Sequence, residues 1–199
     1  MKNSLSVLAL CVALAAPLPA LAQSRGSAPP RSILSYTYLD GRLVLWEPDG
    51  GDRLDGIRIG GSASFQDNLF AVGSLTMVGD TGYDLTLLEG GVGLRHPLSR
   101  DTDLVAIGGI VLAEVDAGPG GDRDDSGISL TGGVRSLVAP QFEVGGYLNY
   151  ADYFGDGDIL LTGEGLLHVT PNLSLAASLG ISDDYDVVTL GARWNFRRR

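Results

Sequence analysis

Period-two alternation of apolar and polar positions runs through most of the chain beyond its first thirty residues. Ile57, Ile59, Gly61, Ala63 and Phe65 share one parity, and Arg58, Gly60, Ser62 and Ser64 the other. Phe142, Val144, Gly146, Leu148 and Tyr150 alternate with Glu143, Gly145, Tyr147, Asn149 and Ala151. Val188, Leu190, Ala192, Trp194 and Phe196 alternate with Thr189, Gly191, Arg193 and Asn195. Ten such runs are predicted as strands, at 33–46, 56–65, 69–78, 84–96, 103–115, 127–138, 142–152, 158–169, 173–180 and 187–196. Run 103–115 is apolar in both parities, so its faces stay unassigned. In 33–46, Asp40 and Arg42 share the parity of Tyr36 and Tyr38, which suggests a bulge near Gly41. Runs 33–46 and 173–180 are the weakest, so eight strands is the alternative to ten.

The runs are near the roughly 9–11 residues that a tilted strand needs to cross a bilayer. Gln66-Asp67-Asn68, 97–102, 139–141 and 170–172 read as turns, while the more acidic links 47–55, 79–83, 116–126, 153–157 and 181–186 read as longer loops. Short turns at one end and longer loops at the other fit an up-and-down antiparallel transmembrane β-barrel, with turns periplasmic and loops extracellular. By height along the strands, Trp46, Tyr83, Tyr150, Tyr153, Phe154 and Tyr185 form a loop-end aromatic belt. Phe65, Phe142, Trp194 and Phe196 form a turn-end belt. A soluble β-sandwich also alternates. The polar parity here is small and mixed, mostly Gly, Ser and Thr with isolated charges, where a solvated face would carry many Lys and Glu. Closing the sheet removes its edges, which lipid demands.

Composition narrows the chemistry. Acids outnumber bases 24 to 14, a net charge of −10, which argues against nucleic acid as a partner. The only lysine is Lys2 and the only cysteine Cys11, so a thiolate nucleophile, a Cys-based zinc site and a disulfide framework are set aside. Lys2, the apolar stretch Leu5 to Ala16, the breakers Pro17 and Pro19, and Ala20-Leu21-Ala22 before Gln23 make residues 1–22 a secretory signal peptide. Residues 23–31 read as a flexible leader and 32–199 as the barrel.

The signal, the hairpin strands and the closing Gly191-Ala192-Arg193-Trp194-Asn195-Phe196 resemble small outer-membrane barrels of Gram-negative bacteria. The opening Tyr36-Thr37-Tyr38-Leu39-Asp40-Gly41 and the segment Asp103-Leu104-Val105-Ala106 are similar to the OmpA-like, opacity-type group. That resemblance implies an outer-membrane address, no catalytic residue, and a terminal-strand aromatic, Phe196, read by the barrel-assembly machinery. The group usually has eight strands and ends on its aromatic, whereas Arg197-Arg198-Arg199 follow here.

Candidate functional residues fall into three sets. Arg58, Glu89, Arg95, Arg135, Glu143, Glu164 and Arg193 sit singly in polar parities, and closure turns them inward as a lumen charge network. They read either as a polar path for small solutes or as ion pairs that, with Phe70 and Tyr147, fill a narrow bore; ten strands favour the filled bore. Asp49, Asp52, Asp55, Asp122, Asp124, Asp125, Asp156, Asp183, Asp184 and Asp186 make the loops acidic. They suggest a solvated rim near lipopolysaccharide that interacts with divalent cations or docks a basic partner. His96 and His168 lie by the turns, away from the outer rim where outer-membrane hydrolases place their chemistry. Gly90-Gly91-Val92-Gly93 lies within a strand and opens no helix, so it is no nucleotide loop. The expectation from sequence is a barrel with a structural, surface-recognition or adhesion role through its acidic extracellular loops, and with no cofactor. A narrow channel, a rim hydrolase and a soluble secreted β-protein are the alternatives.

Overall fold

The computed structural model describes residues 32–118 and 121–196. The expected signal peptide, the leader and the Arg197–Arg199 tail lie outside the described residues, as does the side chain of Asp156.

Ten strands form: β1 (Tyr38–Pro48), β2 (Leu54–Ser64), β3 (Leu69–Gly79), β4 (Asp84–Pro97), β5 (Thr102–Asp116), β6 (Arg123–Ala139), β7 (Phe142–Tyr153), β8 (Asp156–His168), β9 (Leu173–Ile181) and β10 (Tyr185–Asn195). Each pairs antiparallel with its sequence neighbour, and β1 pairs β10 from Tyr38↔Asn195 to Pro48↔Tyr185, closing an up-and-down barrel. The strand count is ten, as the alternation indicates.

Alternation decides which side chain faces where. Leu43, Ile59, Val92, Ile110, Leu161 and Leu190 are exposed on the outside, while Asp103, Arg135, Glu143 and Arg193 are buried within. Such an apolar band far exceeds what a water-soluble monomer normally shows. The inversion, grease outside and charge inside, is that of a barrel whose wall meets hydrocarbon. It also settles β5. Asp103, Val105, Ile107, Gly109 and Val111 face inward, and Leu104, Ala106, Ile110 and Leu112 outward. Both parities are apolar because the inner one joins two apolar clusters inside the lumen. Leu34, Tyr36, Phe70 and Val105 form one, and Val44, Leu54, Val78, Leu85, Leu87, Val111, Ala113 and Val115 the other.

Three expectations are corrected. Register runs unbroken across Gly41 on both sides of β1, so no bulge lies there; Tyr38, Asp40 and Arg42 share a parity because all point inward. The bulge is between Leu137 and Ala139 instead. The first strand starts at Tyr38, not 33, and residues 32–37 take another path described below. The loops are not long. β5 and β6 extend to 15 and 17 residues and absorb what reads as loop, leaving links of only 117–122, 154–155 and 182–184. The tightest, Phe154-Gly155, has φ of 57° and 81°, the left-handed pair that a two-residue hairpin requires.

Candidate functional site: a charged lumen between two mouths

At the turn end the chain crosses the barrel mouth before it enters β1. Tyr38 pairs with Asn195 and Ser62, yet the Ile33 amide donates to the Arg100 carbonyl in the turn between β4 and β5, three strands around the wall (3.1 Å). Residues 32–37 therefore form a strap. Its carbonyls accept from inward side chains, Leu34 from Arg95 (3.3 Å), Ser35 from Arg135 (3.3 Å) and Tyr36 from Ser62 (2.8 Å). The Tyr36 ring sits 4.7 Å from Phe70 and takes the Arg95 and Arg135 guanidiniums at 4.9 and 4.4 Å. Its hydroxyl donates to the fully buried Asp103 at 3.0 Å. A ring held by two cations, one carboxylate and an aromatic neighbour is firmly seated.

Above the strap lies a web of ion pairs. Arg135 donates through Nε and Nη2 to Glu143 (2.8 and 2.6 Å). Arg42 reaches Asp40 (3.0 Å) and Glu164 (2.5 Å), and Arg193 reaches the same two carboxylates at 3.3 and 3.2 Å. Two cations and two anions thus alternate in a ring, every member under a tenth exposed. Arg58 and Glu89 stand 3.5 Å apart with the Ser74 hydroxyl between them. Tyr147 lies flat over Gly133 and Gly145, where a Cβ would come within 2.4 and 2.6 Å of it. What remains open is a cavity of about 340 Å³.

One constellation has the residue types of acyl-transfer chemistry. His168 Nδ1 is 2.7 Å from Ser174 Oγ, and His168 Nε2 is 3.6 Å from Glu143. Ser174 is fully buried and also accepts from Asn195 at 3.3 Å, so no substrate carbonyl can reach it. The geometry makes it a polar lock joining β7, β8, β9 and β10.

At the loop end the aromatic rings behave differently from a belt. Trp46, Tyr153 and Tyr185 turn inward. Trp46 and Tyr185 pack at 4.6 Å, and Tyr83 and Tyr153 rest on the upper apolar cluster. The expected loop-end belt is therefore corrected for Trp46, Tyr153 and Tyr185, because their parity is that of the lumen. Of the six expected there, Tyr83 and Phe154 lie in links and line the vestibule, and Tyr150 has the outward parity, its hydroxyl near Asp152 (3.4 Å). The turn-end rings of Phe65, Phe142, Trp194 and Phe196 are all exposed on the outside. Trp46, Tyr153 and Tyr185 line both the lumen cavity and a wider vestibule of about 730 Å³ that they separate from it.

All seven charges expected in the lumen point inward. Asp40, Arg42, Asp103 and Tyr36 join them and were missed. The shared parity of Tyr36, Tyr38, Asp40 and Arg42 was the available signal; Asp103 had none, because its strand is apolar on both faces. Of the acidic set, Asp49, Asp52, Asp122, Asp183 and Asp184 occupy links, and Asp55, Asp124, Asp125, Asp156 and Asp186 strand ends. Asp125 accepts from the Phe154 amide, and Asp55 pairs with Arg53 at 2.9 Å. Among the described residues no three His, Cys, Asp or Glu side chains gather as a metal-holding group.

No family model matches the chain, and no curated protein does. Solved structures do. The NanC porin aligns with a TM-score of 0.55 at 12% identity, covering 79% of this chain and all (100%) of that one. The KdgM porin in complex with disordered oligogalacturonate aligns at 0.47 and 12% identity, covering 80% and 99%. Ail, the attachment invasion locus protein of Yersinia pestis, aligns at 0.44 and 14%, covering 81% and 97%. At such identity the likeness is one of fold: this chain folds as a small outer-membrane-type β-barrel.

Proposed function

We propose that the protein resides in the bacterial outer membrane as a closed barrel, with a structural or surface-recognition role carried by its acidic loop end and no catalytic role. The observation that carries this reading is the strap, with Tyr36 clamped across the turn-side mouth beneath a paired charge network. The exposed apolar wall supports the address. The turn-end rings of Phe65, Phe142, Trp194 and Phe196 support an interfacial girdle. The acidic rim would face lipopolysaccharide, with divalent cations screening the two negative surfaces.

The competing reading is a narrow channel, favoured by the cavity of about 340 Å³. Planar-bilayer recording separates the two. The unaltered protein is expected to show no discrete current steps, and Tyr36→Ala, which frees the strap, is expected to introduce them. Regular steps from the unaltered protein would make the channel reading the better one. Heat-modifiable gel mobility of detergent-extracted protein tests the barrel itself, since a closed barrel resists SDS until boiled.

A further inference from the structure

The charges paired deep in the lumen balance. Arg42, Arg58, Arg95, Arg135 and Arg193 are each within 4.0 Å of one or more of Asp40, Glu89, Asp103, Glu143 and Glu164, five cations to five anions. Asp158 on β8 stands outside this balance. Its Oδ1 accepts from the Ile159 amide at 2.7 Å and the Tyr185 hydroxyl stands beside the carboxylate, but among the described residues no cation pairs with it. It lines the lumen cavity together with Trp46, Tyr153 and Tyr185, the three rings that divide lumen from vestibule. A half-buried carboxylate with no cation beside it invites a counter-charge.

The vestibule above narrows what that counter-charge is. It is walled by Trp46, Tyr83, Tyr153, Phe154 and Tyr185, and its charged groups are Asp52, Asp80 and Asp184 against Arg123. Acids in excess at a concave mouth repel anions and draw cations inward. A hard divalent ion needs six to eight oxygen ligands, which an aromatic wall does not supply. A neutral sugar could stack on the rings but would leave Asp158 uncompensated. An alkylated ammonium satisfies both features, its methyl groups and diffuse charge against the ring faces and its net charge opposite the carboxylate.

We propose that this mouth is a binding site for a small organic ammonium ion, with the rings of Trp46, Tyr153 and Tyr185 and the Asp158 carboxylate as its contacts. The inference rests on the surface-recognition reading and gives that same loop end a ligand class.

The test uses Trp46 as its own reporter. Trp46 and Trp194 are the only tryptophans of the chain, and Trp194 faces outward, so Trp194→Phe leaves one signal at the site. Folded protein in a maltoside detergent, which carries no ammonium headgroup, is titrated with choline chloride. The controls are sodium chloride and 3,3-dimethylbutan-1-ol, the uncharged isostere of choline. Choline is expected to change Trp46 emission saturably at about millimolar concentration. The isostere is expected to bind at least tenfold more weakly, as is choline to Asp158→Asn. No saturable change, or an isostere as effective as choline, overturns the proposal. The choline–isostere comparison needs no change at Asp158, so it decides the matter even if that variant does not fold. A barrel with normal heat-modifiable mobility that ignores choline sinks this inference alone; loss of that mobility in the unaltered protein would sink the reading beneath it.

Discussion

Glu164→Gln is expected to lower stability by about 3–5 kcal/mol, the usual penalty for leaving buried charge without its partner. Glu164 Oε1 accepts from Arg42 (2.5 Å) and Arg193 (3.2 Å), so one carboxylate serves two guanidiniums. Its neutralisation leaves Asp40 alone to hold both cations, in a site where all four side chains are nearly sealed. Arg42 Nε and Arg193 Nε already lack acceptors, so there is no reserve to take up the loss. Urea unfolding in detergent, followed by tryptophan emission, would measure the effect. The comparison is Arg53→Ala at the exposed pair with Asp55, where at most about 1 kcal/mol is expected. A Glu164→Gln protein within about 1 kcal/mol of the unaltered one would show that the ring contributes geometry but little energy.

Gly191→Ala is expected to impair closure of the barrel. Gly191 is the inward residue of β10 opposite Arg42, at the seam where the first and last strands meet. A Cβ built there would lie 2.1 Å from the Gly41 carbonyl oxygen and 2.7 Å from the Arg42 Cα. Both are backbone atoms that no rotamer change can move, so β1 and β10 must separate. Overpacking against side chains alone typically costs about 1–3 kcal/mol, and a backbone clash belongs at or above the top of that range. The shift would also carry Arg42 away from Glu164, coupling the seam to the ion ring. Gly41→Ala is the control across the same seam, since nothing lies within 4 Å of its Cβ position. It is expected to fold with stability changed by no more than about 1 kcal/mol. The two variants should differ in the fraction that migrates as the compact, unboiled form. Equal fractions would refute the steric account of Gly191.

Strand number, the lipid-side face and the inward set Arg58, Glu89, Arg95, Arg135, Glu143, Glu164 and Arg193 follow from local alternation. Each strand reports its two faces independently, because neighbouring side chains point to opposite sides. Where alternation was blunt the reading thinned. β5 is apolar on both sides, so Asp103 stayed hidden. The aromatic rings show the difference between height and direction. Trp46 shares its parity with Arg42, Tyr153 with Tyr147, and Tyr185 with Arg193, so alternation turns all three inward, whereas position along the strand says only that they lie near the loops.

What only the folded chain decided is what those faces meet. Arg42 and Glu164 are 122 residues apart, and Tyr36 and Asp103 are 67 apart. Pairings of that kind depend on the register summed around ten strands, and no local pattern carries that sum. The strap's path across the mouth, the length of the β5–β6 hairpin and the place of Asp158 among its aromatic neighbours belong to the same class. The sequence by itself determined a greasy cylinder with charges turned inward; closure of the cylinder determined which of those charges meet.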